Sequence, residues 1–366
     1  MAKHDDGMHA PKTRFLLQLA RRLAALSAAA WVLCAAALDV MPQRLSETGL
    51  LVDGSLHRVR PDVLPFSPQF ALWSDGAAKR RWIYLPAGQR IDATDPDNWR
   101  FPVGTRLWKE FGFGHQRVET RFMALGADRQ WRYATYVWAA DGQDAVLAPE
   151  RGAVVSPVPE APGGRVAIPS RADCLLCHDN GNTPVLGFSA LQLSAAPAAL
   201  AAAHGHAAEP ARLDLARLLR SGRLDNAAPT WLQAGPDIDA ANPTERAVLG
   251  YLHANCGHCH NDTGPLASLE LALAQSARPA SGSAARTLAT LLRFKSRYTL
   301  PLAEPLAQRI APGNPAASTL LHRLRSTNPS ARMPPLGVSA IDSEAAALVE
   351  NWIRNLINHQ PQGTTP

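Results

Sequence analysis

Two copies of one reactive pattern lie in the 366-residue chain: Cys174-Leu175-Leu176-Cys177-His178 and Cys256-Gly257-His258-Cys259-His260. Two thiols three positions apart can each form a thioether to a vinyl group of one haem, and the imidazole next in sequence is then delivered to the iron as its proximal ligand. The pattern therefore predicts two covalently attached haem c groups, held by Cys174, Cys177, Cys256 and Cys259, with His178 and His260 as iron ligands. Other chemistries open to these residue types fit less well. A zinc ribbon places its cysteine pairs about 15–20 residues apart and needs neither histidine, whereas Cys177 and Cys256 are 79 positions apart. A thioredoxin-like dithiol needs one motif at a strand-to-helix junction, not two followed by histidine. Paired disulfides would close tight, strained loops and give the histidines no role.

A sixth ligand for the second iron is expected from Arg332-Met333-Pro334-Pro335-Leu336-Gly337, which lies 73 positions beyond His260 when counted to Met333. A thioether is a soft ligand suited to haem iron, and the two prolines stiffen the loop that carries it. No methionine stands between His178 and His260. The options for the first iron are His204, His206, Met123, His57, or no protein ligand. Arg171 and Asp173 adjoin the first motif, but no convincing distal acid or base is read near it.

These residues need elements to position them. Asn242 as a cap, Pro243 at the first helical position and Glu245 three after the cap predict a helix running into Cys256. Asp342 caps a second segment, in which Ala345, Leu348, Val349, Trp352, Ile353, Leu356 and Ile357 form one apolar face. Val248, Leu249, Tyr251 and Leu252 offer that face a partner, with Gly250 permitting close approach. His258 is expected to face solvent, and His253 to be a surface or packing residue. Pro157, Pro159, Pro162 and Pro169 forbid a leading helix before the first motif; downstream, Leu191 to Ala203 and Leu213 to Leu219 are helical candidates. Residues 54–150 hold six of the nine tryptophans. There Val118, Thr120, Phe122 and Ala124 alternate with Glu119, Arg121 and Met123, and a turn at Gly126 to Arg129 leads into Trp131 to Trp138, predicting an antiparallel hairpin. Further strands are expected at Trp82 to Leu85 and Leu107 to Phe111.

With 46% hydrophobic residues and about two domains' worth of chain, a folded multidomain α+β protein is expected. The organisation reads as an export signal (1–37), a β-rich sandwich or barrel-like domain (38–165), a first haem-binding segment (166–240) and a mostly helical haem domain (241–366). The net charge is +6. Five cations against two carboxylates place about half of that excess within 1–37, leaving too little to argue for nucleic acid. In that segment Arg21-Arg22 precede an uncharged run, Leu23 to Leu38, and Ala35-Ala36-Ala37. Sixteen helical residues reach only ~24 Å, short of a ~30 Å hydrocarbon core, so cleavage after Ala37 is favoured over a retained anchor. Leu33 stands where a lipoprotein would need a small residue before Cys34.

Asn255 to Asn261, Pro312-Gly313-Asn314-Pro315, Met333-Pro334-Pro335-Leu336 and the Trp-bearing terminal helix resemble a class I cytochrome c domain over roughly residues 240–360, with a long insert at about 262–305. The resemblance implies an all-helical haem fold, His/Met ligation and electron transfer. Trp73 to Arg80, Phe101 to Thr105, Glu119-Thr120-Arg121, Tyr136-Val137-Trp138, Ile168 to Arg171 and both motifs together resemble a family of exported di-haem c-type cytochromes with an N-terminal β-rich domain. That resemblance implies a periplasmic redox protein without a settled catalytic activity. The expectation is single-electron transfer between periplasmic or membrane-bound redox proteins. Membrane contact would come only through an uncleaved N-terminal segment. The alternatives are a peroxidase- or oxidase-like enzyme using an open first haem with the second as relay, and a docking role for the β-rich part.

Overall fold

The computed structural model describes residues 41–55, 57–179, 183–194, 200, 212–298 and 307–356. The expected export segment with Cys34, and the ligand options His204 and His206, lie outside them. The architecture is α+β. Strands β1 (Val63–Pro65), β2 (Ala78–Tyr84), β4 (Arg106–Phe113), β5 (Gln116–Leu125), β6 (Trp131–Trp138) and β7 (Ala145–Leu147) form one antiparallel sheet in the order β1-β2-β4-β5-β6-β7. The hairpin β5–β6 forms as its alternation requires, from Glu119 opposite Val137 to Leu125 opposite Trp131.

The sheet is open and single, neither the sandwich nor the barrel expected for this region. Alternation tells which side chains share a face but not what covers it, and here both faces are apolar. One face, with Trp82, Trp108, Phe122, Ala134 and Tyr136, packs on Leu45 and Leu50 at the N-terminal end of the described chain. On the opposite face, Ile83, Leu107, Met123, Leu125 and Tyr133 share a core with Val185, Phe188, Leu191, Leu215, Leu218 and Leu249. The second layer on that face is thus the helical part of the chain. A parallel pairing of β3 (Ile91–Asp92) with the distant β10 (Leu224–Asp225) stitches the two together. A small hairpin, β8 (Ala153–Val155) with β9 (Val166–Ile168), leads directly to the first motif.

The helices are α1 (Arg171–His178), α2 (Ala190–Leu193), α3 (Leu215–Arg220), α4 (Pro243–Asn255), α5 (Ser283–Leu291), α6 (Thr319–Leu324) and α7 (Ser343–Asn355). The start signals act as read: Asn242 Oδ1 accepts from Glu245 N at 2.9 Å and Asp342 Oδ1 from Ala345 N at 3.0 Å. Helices α4 and α7 pack together, burying Val248, Tyr251 and Leu252 against Ala345, Val349, Trp352 and Ile353. Gly250 has a different role from the one expected. A Cβ there would lie 2.1 Å from two ring carbons of Phe70, so the close approach it permits is to the segment before β2 and not to the terminal helix.

Candidate functional site

The first motif is wholly contained in α1. Ser170 starts this helix: its Oγ accepts from Asp173 N at 3.1 Å, while Asp173 Oδ2 accepts from Ser170 N at 2.9 Å. Arg171 pairs with Glu150 at 3.1 Å. Both acid–base groups beside the motif are therefore engaged in shaping the chain. No helix leads into α1, as the prolines require. Cys174 and Cys177 are three positions apart on one helix face, half-buried and unbonded, and between them Leu175 and Leu176 are 37% and 46% exposed.

His178 ends the helix with its ring 5.0 Å, centroid to centroid, from that of Tyr133 on β6. Its Nδ1 lies 2.6 Å from the carbonyl oxygen of Pro184. A carbonyl can only accept, so Nδ1 carries the proton and donates it, and Nε2 keeps its lone pair for another partner. Burial pushes the imidazole pKa down to about 4, which keeps the ring neutral at neutral pH.

The second motif follows α4. Asn255, 1% exposed, anchors it: Nδ2 donates to Ala71 O and Tyr251 O, both at 3.0 Å, and Oδ1 accepts from Trp73 N at 2.7 Å. A turn follows, closed by His260 N to Cys256 O at 2.8 Å. Asn261 Nδ2 donates to Gly257 O at 3.0 Å and His258 O at 3.1 Å. Only glycine fits at 257, because a Cβ would meet His253 O at 2.8 Å and Ala274 Cα at 2.9 Å. Cys256 and Cys259 are also half-buried and unbonded; burial pushes the Cys256 thiol up to about 12. The Nδ1 of His260 is buried with no hydrogen-bond partner among the described residues. Burial, then the charges of Arg323 and Arg309, lower the pKa of His260.

Met333 is half-buried in a loop anchored to α6, where Arg323 O accepts from Met333 N at 3.1 Å and Arg323 Nε donates to Ala331 O at 2.7 Å. The other end of this loop is held from the N-terminal part of the chain. Asp75 accepts from Ser339 N at 2.7 and 2.9 Å, from Ser339 Oγ at 2.6 Å and from Ala340 N at 2.9 Å. The insert after the second motif is fixed similarly, with Asp97 accepting from Ser276 Oγ at 2.6 Å and Ala277 N at 2.7 Å.

The two motifs meet. Cys259 Sγ lies 3.9 Å from Leu176 O, across 83 positions of sequence. His258, expected to face solvent, is half-buried; burial, then the charges of His178 and His260, push its pKa down to about 4. His253 is a packing residue whose Nδ1 accepts from Gln275 N at 3.0 Å. Of the options for a further ligand at the first motif, Met123 is buried beneath Tyr133, its cross-strand partner. His57 is exposed at the β4–β5 turn, 3.4 Å from Arg117 Nη2.

The sheet face that meets α1 is built in rungs across β6, β5, β4 and β2. The rung under His178 is apolar: Tyr133, Met123, Leu107, Ile83. The next is Thr135, Arg121, Lys109, Arg81, and the third Val137, Glu119, Phe111, Lys79. Lys79, Arg81 and Glu119 are 3%, 6% and 1% exposed. Burial pushes Lys79 down to about 7 and Arg81 to about 9, and lowers Lys109 well below its ordinary range. Sequence reading missed this cluster, although its signal was present: charged residues recur at every second position of β2 (Lys79, Arg81) and β5 (Glu119, Arg121), with Lys109 of β4 between them, on a face that also carries apolar side chains.

Among the described residues no three His, Cys, Asp or Glu side chains converge to hold a bare metal ion. No family model, curated protein or solved structure matches this chain.

Proposed function

We propose that the protein is an exported, periplasmic di-haem c-type cytochrome, its C-terminal part a cytochrome c-like haem domain, carrying single electrons between redox partners. One observation carries the reading. Two Cys-x-x-Cys-His motifs, remote in sequence, are folded against each other with Cys259 Sγ 3.9 Å from Leu176 O, so groups attached to them would be neighbours within one rigid frame.

The surrounding residues fit covalent haem. Each motif offers two unbonded, half-buried thiols beside an imidazole. His178 is oriented by Pro184 O so that Nε2 is the available nitrogen, as second-shell hydrogen bonding does for metal-bound histidines. The buried His260 Nδ1 belongs to a ring committed elsewhere than to solvent. Exposed Leu175, Leu176 and Leu336 offer apolar surface to a macrocycle. Bound haem supplies a one-electron iron couple; the chain holds it, orients the ligands and excludes water. Met333 is the proposed sixth ligand of the second iron, which would close that iron to substrates. The enzyme reading finds less support, because Arg171 and Asp173 are occupied by Glu150 and Ser170.

The test is protein matured with its export and haem-attachment machinery. Mass and the reduced spectrum should give two covalent haems per chain, low-spin and inert to carbon monoxide. Colourless protein, or a mass short of two haems, overturns the proposal; carbon monoxide binding at one haem would favour the enzyme.

A further inference from the structure

The rung Arg81–Lys109–Arg121 lies one step along the sheet from the rung that supports His178, about 7 Å at the usual strand rise. Glu119 is the carboxylate that shares this surface, bound to Arg121 through Nη2–Oε1 at 2.7 Å and Nε–Oε2 at 3.2 Å. The Lys109 ammonium sits 4.8 Å, and the Arg121 guanidinium 4.4 Å, from the centroid of the Phe111 ring. Arg121 is matched by Glu119, and Arg81 adds a further guanidinium to the face behind the first motif. A cationic patch can serve docking, but Arg81 is 6% exposed and cannot meet a partner's surface. Burying such groups is costly, so the arrangement calls for a function that acts through the interior.

We propose, resting on the haem reading above, that Arg81 and Arg121 act as positioning charges that raise the reduction potential of the group held by Cys174, Cys177 and His178. In the step concerned, one electron passes from a one-electron redox partner to ferric iron; no bond forms or breaks, and the positive charge of the site falls by one. A fixed cation nearby disfavours the ferric form more than the ferrous form, so it shifts the couple upward. Guanidinium groups supply such a charge across the physiological pH range. Because Arg81 is 6% exposed, mobile ions screen it far less than they screen surface charge.

Spectroelectrochemical titration of the full, haem-loaded chain tests this with Arg81→Met, Arg81→Gln and, independently, Arg121→Met. Comparison with Met333→Ala, which perturbs the second haem, assigns the two midpoints. In all three the first midpoint should shift downward, the second should move less, and the shift should persist at high salt. Wild-type-like midpoints in these variants, with two haems still attached, overturn the inference, as does a shift abolished by salt. Should Arg81→Met fail to accumulate, Arg81→Gln and Arg121→Met decide. A wild-type chain lacking two haems would instead overturn the haem reading, so the two failures are distinct.

Discussion

Asp75 gives the most direct test of how the Met333 loop is held. Its carboxylate accepts from two backbone amides and one hydroxyl of Ser339 and Ala340, six and seven positions beyond Met333. Asp75 has φ +54°, so alanine would add backbone strain; glycine removes the carboxylate without it, and asparagine keeps one acceptor and tolerates the conformation. A hydrogen bond to a charged group contributes about 1.5–3 kcal/mol, and on this half-exposed loop the lower end applies. Allowing for non-additivity, the contacts together should hold the loop closed by ~2–3 kcal/mol, which corresponds to a ~30- to 150-fold rise in the open population when they are lost. If Met333 ligates iron, an external ligand such as imidazole binds the ferric protein only from the open state, so its apparent affinity tracks that population. Asp75→Gly should therefore bind imidazole ~30- to 150-fold more tightly than wild type, with Asp75→Asn between them and Met333→Ala at least as tight as Asp75→Gly. An affinity within about threefold of wild type in Asp75→Gly, with both haems attached, would refute the clamp. Equal affinity in Met333→Ala and wild type would instead remove the ligand assignment.

Two further predictions concern stability. Gly250→Ala drives a methyl into the Phe70 ring, where the gap is 2.1 Å, and should cost about 1–3 kcal/mol in urea unfolding; Phe70→Leu in the same chain should recover part of that, and additive effects would refute the contact. The second is a pH effect. Burial, then the charge of His258, push His253 down to about 4 from the ordinary 6.5, and its Nδ1 must accept from Gln275 N. The unfolded chain therefore takes up this proton first. The stability His253 contributes is complete above pH 6.5 and is lost as pH falls through 4. His253→Gln should flatten the dependence of unfolding free energy on pH across that window by about one proton, and an unchanged slope would refute the assignment.

What the sequence disclosed was local. The caps Asn242 and Asp342, the apolar face from Ala345 to Leu356, the β5–β6 hairpin and the proline-blocked approach to the first motif depend on neighbours within a few residues, and each forms as its chemistry requires. The two motifs were legible from spacing alone, but not their contact, which depends on a fold that closes 83 positions. Gly250 shows the same limit: its small size signals close approach, yet nothing local says that the approaching group is Phe70. His258 was expected in solvent because a position between two cysteines on an isolated turn would be exposed; in the fold it is half-buried. In the strands, parity put Glu119 and Arg121 on one face, whereas only cross-strand register reveals that Lys109 and Arg81 continue the line.

That register also bears on what the β-rich part is for. This part supports both motifs directly. Ala71 and Trp73 bind Asn255 immediately before the second motif, Asp75 holds the loop after Met333, Asp97 holds the insert, and Tyr133 backs His178. One apolar core runs from Ile83 and Met123 through Phe188 to Leu249, so the helical part has no separate interior on that side. Deleting the sheet would therefore strip the supports from both motifs together, and any loss of partner reactivity would follow from the collapse of the sites. The sheet is better understood as the rigid floor on which two otherwise distant attachment motifs are held in contact, and its buried cations are then part of the site's own electrostatics.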